Sequence, residues 1–376
     1  GAKVTRGVGG YGVVAVLENG KGPVILVRSD MDALPVTETT GAEYASQQTV
    51  KLPSGQTTGV MHACGHDIHM SCLVGTAQWL ADHKQSWEGT IVLIGQPAEE
   101  RVMGARAMLM DGLYKRFPKP DAALALHVAH DLPAGSIGYV SGPAFASSTS
   151  VDIKVKGRGG HGAMPNNAND PIVQASMLVM DLQTIVSRQV NPIDSAVVTV
   201  GSIHGGTKHN IIPDDVDLQL TVRAFRDETR TLVLDSIRRK AEGIAHAHGA
   251  PKPSVEIREG ISPTVNTPEL VEKIVPGFVE SLGKENVVQV EPTTGAEDFG
   301  LFSEGGTPTF MFRLGVVSQE RMKDAQAGGK PLPSLHSSDF LPVADRSIET
   351  GIKAMTSAIL KLTKPPKNGA DSIIGN

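Results

Sequence analysis

At about 150 residues per domain, a chain of 376 residues has room for two, and 35 Lys+Arg against 40 Asp+Glu give a net charge of −5. An isoelectric point near 6.2 with no basic run argues against a nucleic-acid partner, and no stretch approaches the ~18–20 apolar residues of a membrane span. With 2 cysteines beside 12 histidines, a multi-disulfide scaffold is excluded, and the placement of the histidines becomes the question.

The opening Gly1-Ala2-Lys3 runs straight into strand-like sequence without a signal peptide. A leader removed ahead of it leaves cytoplasmic and exported locations both open. Residues 11–17 and 23–27 read as strands joined by the turn Asn19-Gly20-Lys21-Gly22. Residues 71–83 read as a helix carrying Leu73, Val74, Ala77 and Leu80 on one face. TIVLIG at 90–95 is a buried strand stopped by Gln96-Pro97, 104–110 is a helix, and AALALHV at 122–128 is a second buried strand. Strands alternating with helices predict an α/β fold around a mainly parallel sheet.

From about Thr149 the pattern changes. A strand at 150–156, the loop GRGGHG, a helix at 171–188, strands at 197–203 and 216–223, a helix at 227–247 and a strand at 254–258 give the ferredoxin-like order β-α-β-β-α-β. The earlier style then returns with a helix at 268–282, a strand at 309–313 and a helix from about 344 to 362. The expected architecture is an α/β domain over 1–148 and 261–376, interrupted by an inserted ferredoxin-like α+β domain over 149–260. The tail from Lys364 reads as poorly ordered.

Chemistry-bearing side chains gather at element ends of the α/β part. They are Ser29-Asp30-Met31-Asp32, the run His62-Ala63-Cys64-Gly65-His66-Asp67-Ile68-His69, Glu99-Glu100, His127 closing a strand, and Leu335-His336-Ser337-Ser338-Asp339-Phe340. In an open α/β sheet the ligand crevice lies beyond the carboxyl ends of the strands. Converging there, these residues mix thiolate, imidazole and carboxylate, a set that zinc, cobalt, nickel or manganese accepts. Taken singly, each has a bland reading. A Cys-x-His pair is usually incidental, paired glutamates often complement a helix N-terminus, a strand-end histidine packs in cores, and Asp30 and Asp32 can cap a turn. Their joint placement favours the metal reading.

As a set, Asp30-Met31-Asp32-Ala33-Leu34-Pro35, Met61-His62-Ala63-Cys64-Gly65-His66-Asp67, Gln96-Pro97-Ala98-Glu99-Glu100, Leu126-His127, Gly160-His161-Gly162-Ala163, Asn210-Ile211-Ile212-Pro213, Gly295-Ala296-Glu297-Asp298-Phe299 and Leu335-His336-Ser337 are highly specific. From about Gly7 to Leu362 the chain resembles the dinuclear metal amidohydrolases that include hippurate hydrolases, N-acyl-amino-acid amidohydrolases and plant auxin-conjugate hydrolases, a branch of the aminoacylase and carboxypeptidase G group.

The resemblance implies two divalent ions per chain (Zn, Mn, Co or Ni) bridged by Cys64. His66 and His127 complete one site, and Glu100 and His336 the other. A thiolate supplies the negative charge wanted between two dications. Glu99 matches the general base and acid, and Asp32 the aspartate that orients a ligand histidine. His161 matches a lid-domain histidine that stabilises the oxyanion, typically in the partner subunit's site. Asn210 and Arg223 match residues that hold the substrate's carbonyl and carboxylate, for which a guanidinium fork is suited. His62 and His69 are assigned at most a supporting role, and Cys72 reads as a small buried hydrophobe.

The expected activity is therefore hydrolysis of the amide of an N-acyl amino acid, with dimerisation through the inserted lid domain. A dipeptidase or exopeptidase on the same two-metal site is the alternative. A non-catalytic metal-binding protein is disfavoured by Glu99, because a pure binder has no use for a carboxylate beside the ligands.

Overall fold

The computed structural model describes residues 1–363; the tail from Lys364 lies outside them. In chain order the principal elements begin with β1 Lys3–Val8, β2 Gly12–Asn19, β3 Val24–Asp30, α1 His66–Asp82, β4 Gly89–Gln96 and α2 Gly104–Met110. There follow β5 Ala122–Pro133, β6 Ile137–Tyr139, β7 Ser148–Lys156, α3 Pro171–Arg188, β8 Ala196–His204, β9 Asp215–Ala224 and α4 Asp227–Ala247. The last are β10 Ser254–Ile261, α5 Pro268–Leu282, β11 Val287–Gln289, β12 Thr309–Val317 and α6 Ala344–Leu362.

The chain divides into two compact units. Among the described residues, one comprises 1–142, 265–291 and 298–363, and the other 143–264 and 292–297. The first holds an eight-stranded sheet in the order β1-β2-β4-β3-β5-β12-β6-β11. Its centre is parallel, with β3 between β4 and β5 and β12 beside β5, whereas β1, β2 and β4 pair antiparallel at one side. The central strands carry unbroken apolar runs because both faces are covered. Ile91, Val92, Leu93 and Ile94 of β4 and Ala122 to Leu126 of β5 are all buried.

α1 and α6 pack closely against each other. A Cβ at Gly351 would sit 2.4 Å from Cys72 Sγ, and one at Gly75 2.2 Å from Ile352 Cδ1. Burial also pushes the Cys72 thiol up to about 12, so it stays neutral as an apolar filler. Gly351→Ala should therefore lower stability by about 1–3 kcal/mol through overpacking, despite the ~1 kcal/mol helix preference of Ala over Gly. A denaturant midpoint equal to or above the parent's would contradict this close contact.

The second unit is a four-stranded antiparallel sheet in the order β8-β9-β7-β10, with α3 and α4 supplying apolar side chains to one core. Asp170 caps α3 by accepting the Ile172 amide, with Pro171 at the first helical position. A short ribbon, Gly160–His161 paired with Ile211–Ile212, belongs to the same unit.

Candidate metal centre

β3, β4 and β5 run parallel, so their carboxyl ends open on one side of the sheet. Asp30 ends β3, Glu99 and Glu100 follow β4, and His127 lies in β5. His66 opens α1, and Gly65 at its N-cap separates it from Cys64. The turn into α1 requires Gly65: its φ is 74°, and a Cβ would come 2.6 Å from Val128 Cγ2. This start lies one turn ahead of the predicted residue 71, because His66, Asp67 and His69 interrupt the apolar periodicity. The earlier start sets His66 and His69 three residues apart on one helical face.

The structure brings the predicted ligands together in two overlapping groups. Ligand atoms of Cys64, His66 and His127 lie within 4.8 Å of one another, as do those of Cys64, Glu100 and His336. Cys64 Sγ is 3.6 Å from His127 Nε2, and His336 Nε2 is 3.4 Å from Glu100 Oε2. Cys64, His66 and His127 are buried, while the His336 side chain is 54% exposed at the outer edge. Glu99 is buried, and its carboxylate falls within the same 4.8 Å of ligand atoms of His66 and Glu100.

Backbone carbonyls set the imidazole tautomers. His66 Nδ1 donates to the Asp32 carbonyl at 2.8 Å and His127 Nδ1 to the Val128 carbonyl at 2.8 Å. Both Nε2 atoms are thereby turned toward the cluster, the nitrogen through which a deprotonated imidazole would bind a metal. Asp32 acts through two groups: its carbonyl takes His66, and its carboxylate accepts the Glu100 amide at 3.0 Å and ties down the Glu99-Glu100 turn. That turn is bounded by Ala98 and Val102 with φ of 54° and 56°, and His336 has φ of 69°. Left-handed backbone at three non-glycine residues is concentrated around the candidate ligands, where strain characteristically collects at functional sites.

The local field favours positive charge. Burial opposes protonation of His66, yet Asp30, Asp32 and Glu100 together raise it to about 9. Burial likewise works to raise Asp30, but Arg28, His69 and His66 hold it well below the usual carboxylate range. Asp32 is also lowered against its burial, chiefly by hydrogen bonding to His66. Two buried polar atoms, His66 Nε2 and Glu100 Oε1, have no hydrogen-bond partner among the described residues. Together with a thiol and two further imidazoles, these atoms make up a set of ligand groups suited to borderline divalent ions.

Beneath the cluster lies a network that the sequence reading did not assign. Arg28, fully buried, donates from Nη1 to Asp30 Oδ2 at 2.8 Å, from Nε to Gln96 Oε1 at 2.9 Å and from Nη2 to Asp298 Oδ1 at 3.2 Å. Asp30 Oδ1 is 2.5 Å from His69 Nδ1. The charge of Arg28 inside the apolar run VILVRSD and the His-x-x-His spacing of α1 were the available sequence signals.

The remaining predicted residues belong to the second unit. His161 is exposed on the short ribbon and its Nδ1 accepts the Ala163 amide at 3.0 Å, which leaves the proton on Nε2. Asn210 is exposed beside Ile211, its carbonyl taking the Gly162 amide at 2.9 Å, so both residues share one ribbon. Arg223 is half-buried on β9 opposite Val197, and burial lowers it from the usual guanidinium range.

The chain is similar to an N-acetyldiaminopimelate deacetylase of Limosilactobacillus reuteri, with 36% identity over 91% of this chain and 83% of that one. It is 38% identical to an N-acetyl-L-cysteine deacetylase of Bacillus subtilis over 78% of this chain and 67% of that one. A solved Bacillus subtilis structure, described as a dinuclear metal binding peptidase, superimposes with a TM-score of 0.77 at 28% identity, covering 97% of this chain and 88% of that one. Among the described residues no helix is long and apolar enough to cross a membrane. With the model of Peptidase family M20/M25/M40 matching residues 26–361, this chain belongs to that family.

Proposed function

We propose that this protein is a metal-dependent amidohydrolase that cleaves an N-acyl amino acid into a carboxylic acid and a free amino acid. The observation that carries this reading is the pair of ligand groups sharing Cys64, with the buried carboxylate of Glu99 alongside. Two divalent ions, of zinc, manganese, cobalt or nickel, are assigned to Cys64-His66-His127 and Cys64-Glu100-His336. Bound there, the ions supply carbonyl polarisation and acidify the attacking water. Glu99 takes that water's proton and returns it to the leaving nitrogen, so that the amine departs neutral. Asp32 fixes the Glu99-Glu100 turn, which lets one adjacent carboxylate serve as ligand and the other as base.

The 143–264 unit is assigned the role of a lid and dimerisation domain. His161 offers an Nε2–H to the developing oxyanion, Asn210 a side-chain amide to the substrate carbonyl, and Arg223 a guanidinium to the terminal carboxylate. A second copy of the chain is the partner we assign to β8. This strand is at the sheet edge, and the adjoining α3 exposes Val173, Met177 and Met180 at 48, 49 and 72%. Met180→Glu is expected to shift the sedimentation coefficient from dimer to monomer; a monomeric parent would remove the assignment.

The activity is tested by a hydrolysis panel in which metal-stripped protein is reloaded with each of the four ions. N-acetyl and N-benzoyl amino acids should be cleaved faster than free dipeptides, and the reverse order would favour the exopeptidase alternative. Cys64→Ser should lower tightly bound metal from about two ions per chain to one or none, because a hydroxyl does not deprotonate to bridge as a thiol does. Retention of both ions after dialysis would refute the bridging role.

A further inference from the structure

Resting on the two-metal reading above, we propose that His69 is a positioning residue that holds both inner ligand imidazoles in their binding orientation. His69 sits one helical turn beyond His66 on α1 and is 1% exposed. Its Nδ1 donates to Asp30 Oδ1 at 2.5 Å, and its Nε2 accepts the Val128 amide at 2.9 Å. Both ring nitrogens are thus committed, and neither is left to coordinate.

The consequence runs through the Val128 residue. Its N–H is held by His69, and its carbonyl receives His127 Nδ1 at 2.8 Å. A backbone anchored at one group presents the other in a fixed direction, so the His127 ring is aimed by His69 through main chain. The rings also touch: His69 lies edge-on to His127 with centroids 4.8 Å apart, and tilted against His66 at 5.3 Å. On its other side, the Asp30 carboxylate that takes His69 has its second oxygen 3.6 Å from His66 Nε2 and is gripped by Arg28. One side chain therefore connects the Arg28-Asp30 pair to both histidines of a single candidate site. Partners of this kind are typically worth about 10–100-fold in metal affinity.

Zinc affinity and stoichiometry, read by chelator competition on the full chain, test this. His69→Phe keeps the ring packing but makes neither hydrogen bond, and is expected to bind zinc about 10–100-fold more weakly with two ions still held at saturation. His69→Gln, which retains both a donor and an acceptor, should recover part of that loss. Parent-like affinity in the Phe variant would overturn the proposal, as would loss of one ion outright, which would make His69 a ligand. The parent's stoichiometry is the separate check on the metal centre: a parent that binds no zinc removes the centre itself, whereas a parent that binds two beside an unaffected variant removes only the role of His69. Should neither variant fold, nitrogen-detected NMR of the parent reads the tautomer directly. A proton on His69 Nδ1 supports the arrangement, and one on Nε2 overturns it.

Discussion

Glu99→Gln is expected to lower kcat for an N-acetyl amino acid by about 10²–10⁴-fold while leaving the metal content after dialysis equal to the parent's. The substitution keeps the shape and volume of a side chain that is only 6% exposed, so the surrounding packing is undisturbed. It also leaves intact the turn that Asp32 holds through the Glu100 amide at 3.0 Å. What disappears is the ability to accept a proton and give it back. Glu100→Gln provides the contrast, because that residue contributes an atom to the Cys64-His336 group and its loss should appear in the metal content. The two neighbouring glutamates thus separate a base from a ligand by assay. Unchanged turnover in Glu99→Gln would rule out its role as base, and loss of metal from the same variant would reassign it as a ligand.

Much of the large sheet was legible because its central strands are written as unbroken apolar runs. TIVLIG and AALALHV read as buried strands, and both occupy the middle of the eight-stranded sheet. The helix at 171–188 reads directly from its apolar face and its Asp170-Pro171 start. Elements whose signal is not hydrophobic were harder to read. The first turn of α1 carries His66, Asp67 and His69, and the burial of its two histidines depends on partners brought from elsewhere in the chain. β6 and β11 have three residues each and acquire strand geometry from their neighbours in the sheet rather than from an alternating pattern.

The same distinction holds at the candidate site. Cys64, His66, Glu99, Glu100 and His127 stand out because a cluster of thiol, imidazole and carboxylate groups is chemically conspicuous in one dimension. The residues below them do not. Arg28 reads as a charge that belongs at the surface, and Asp298, which it contacts, is 270 positions away. Left-handed backbone at Ala98 and Val102 is likewise invisible in sequence, because neither is a residue that favours positive φ.

Arg28→Met is expected to destabilise the metal-free protein by about 3–5 kcal/mol, the cost of leaving buried charge uncompensated. Arg28, Asp30 and Asp298 are all shielded from solvent, so one guanidinium answers two carboxylates where bulk water does not reach to screen them. Gln96 and the Ala105 amide add hydrogen bonds to Asp298 at 2.6 and 3.0 Å, but neither carries charge. Arg28→Lys should recover only part of the loss, because a point charge cannot match the fork that reaches Asp30, Gln96 and Asp298 together.

The pH dependence follows from the sign of the Asp30 shift. In the parent its folded value is depressed, so its stabilising contribution is present above the unfolded value of 3.8 and is lost as pH falls through the folded one. In Arg28→Met, burial loses its largest opponent and pushes Asp30 upward. Asp30 then takes up its proton at a higher pH in the folded variant than in the folded parent, so the parent's advantage shrinks as pH falls. Urea midpoints measured in chelator should therefore show the largest gap between parent and variant near pH 7 and a narrowing gap toward pH 5. A gap that widened on acidification would mean that Arg28 is not what keeps the Asp30 carboxylate charged.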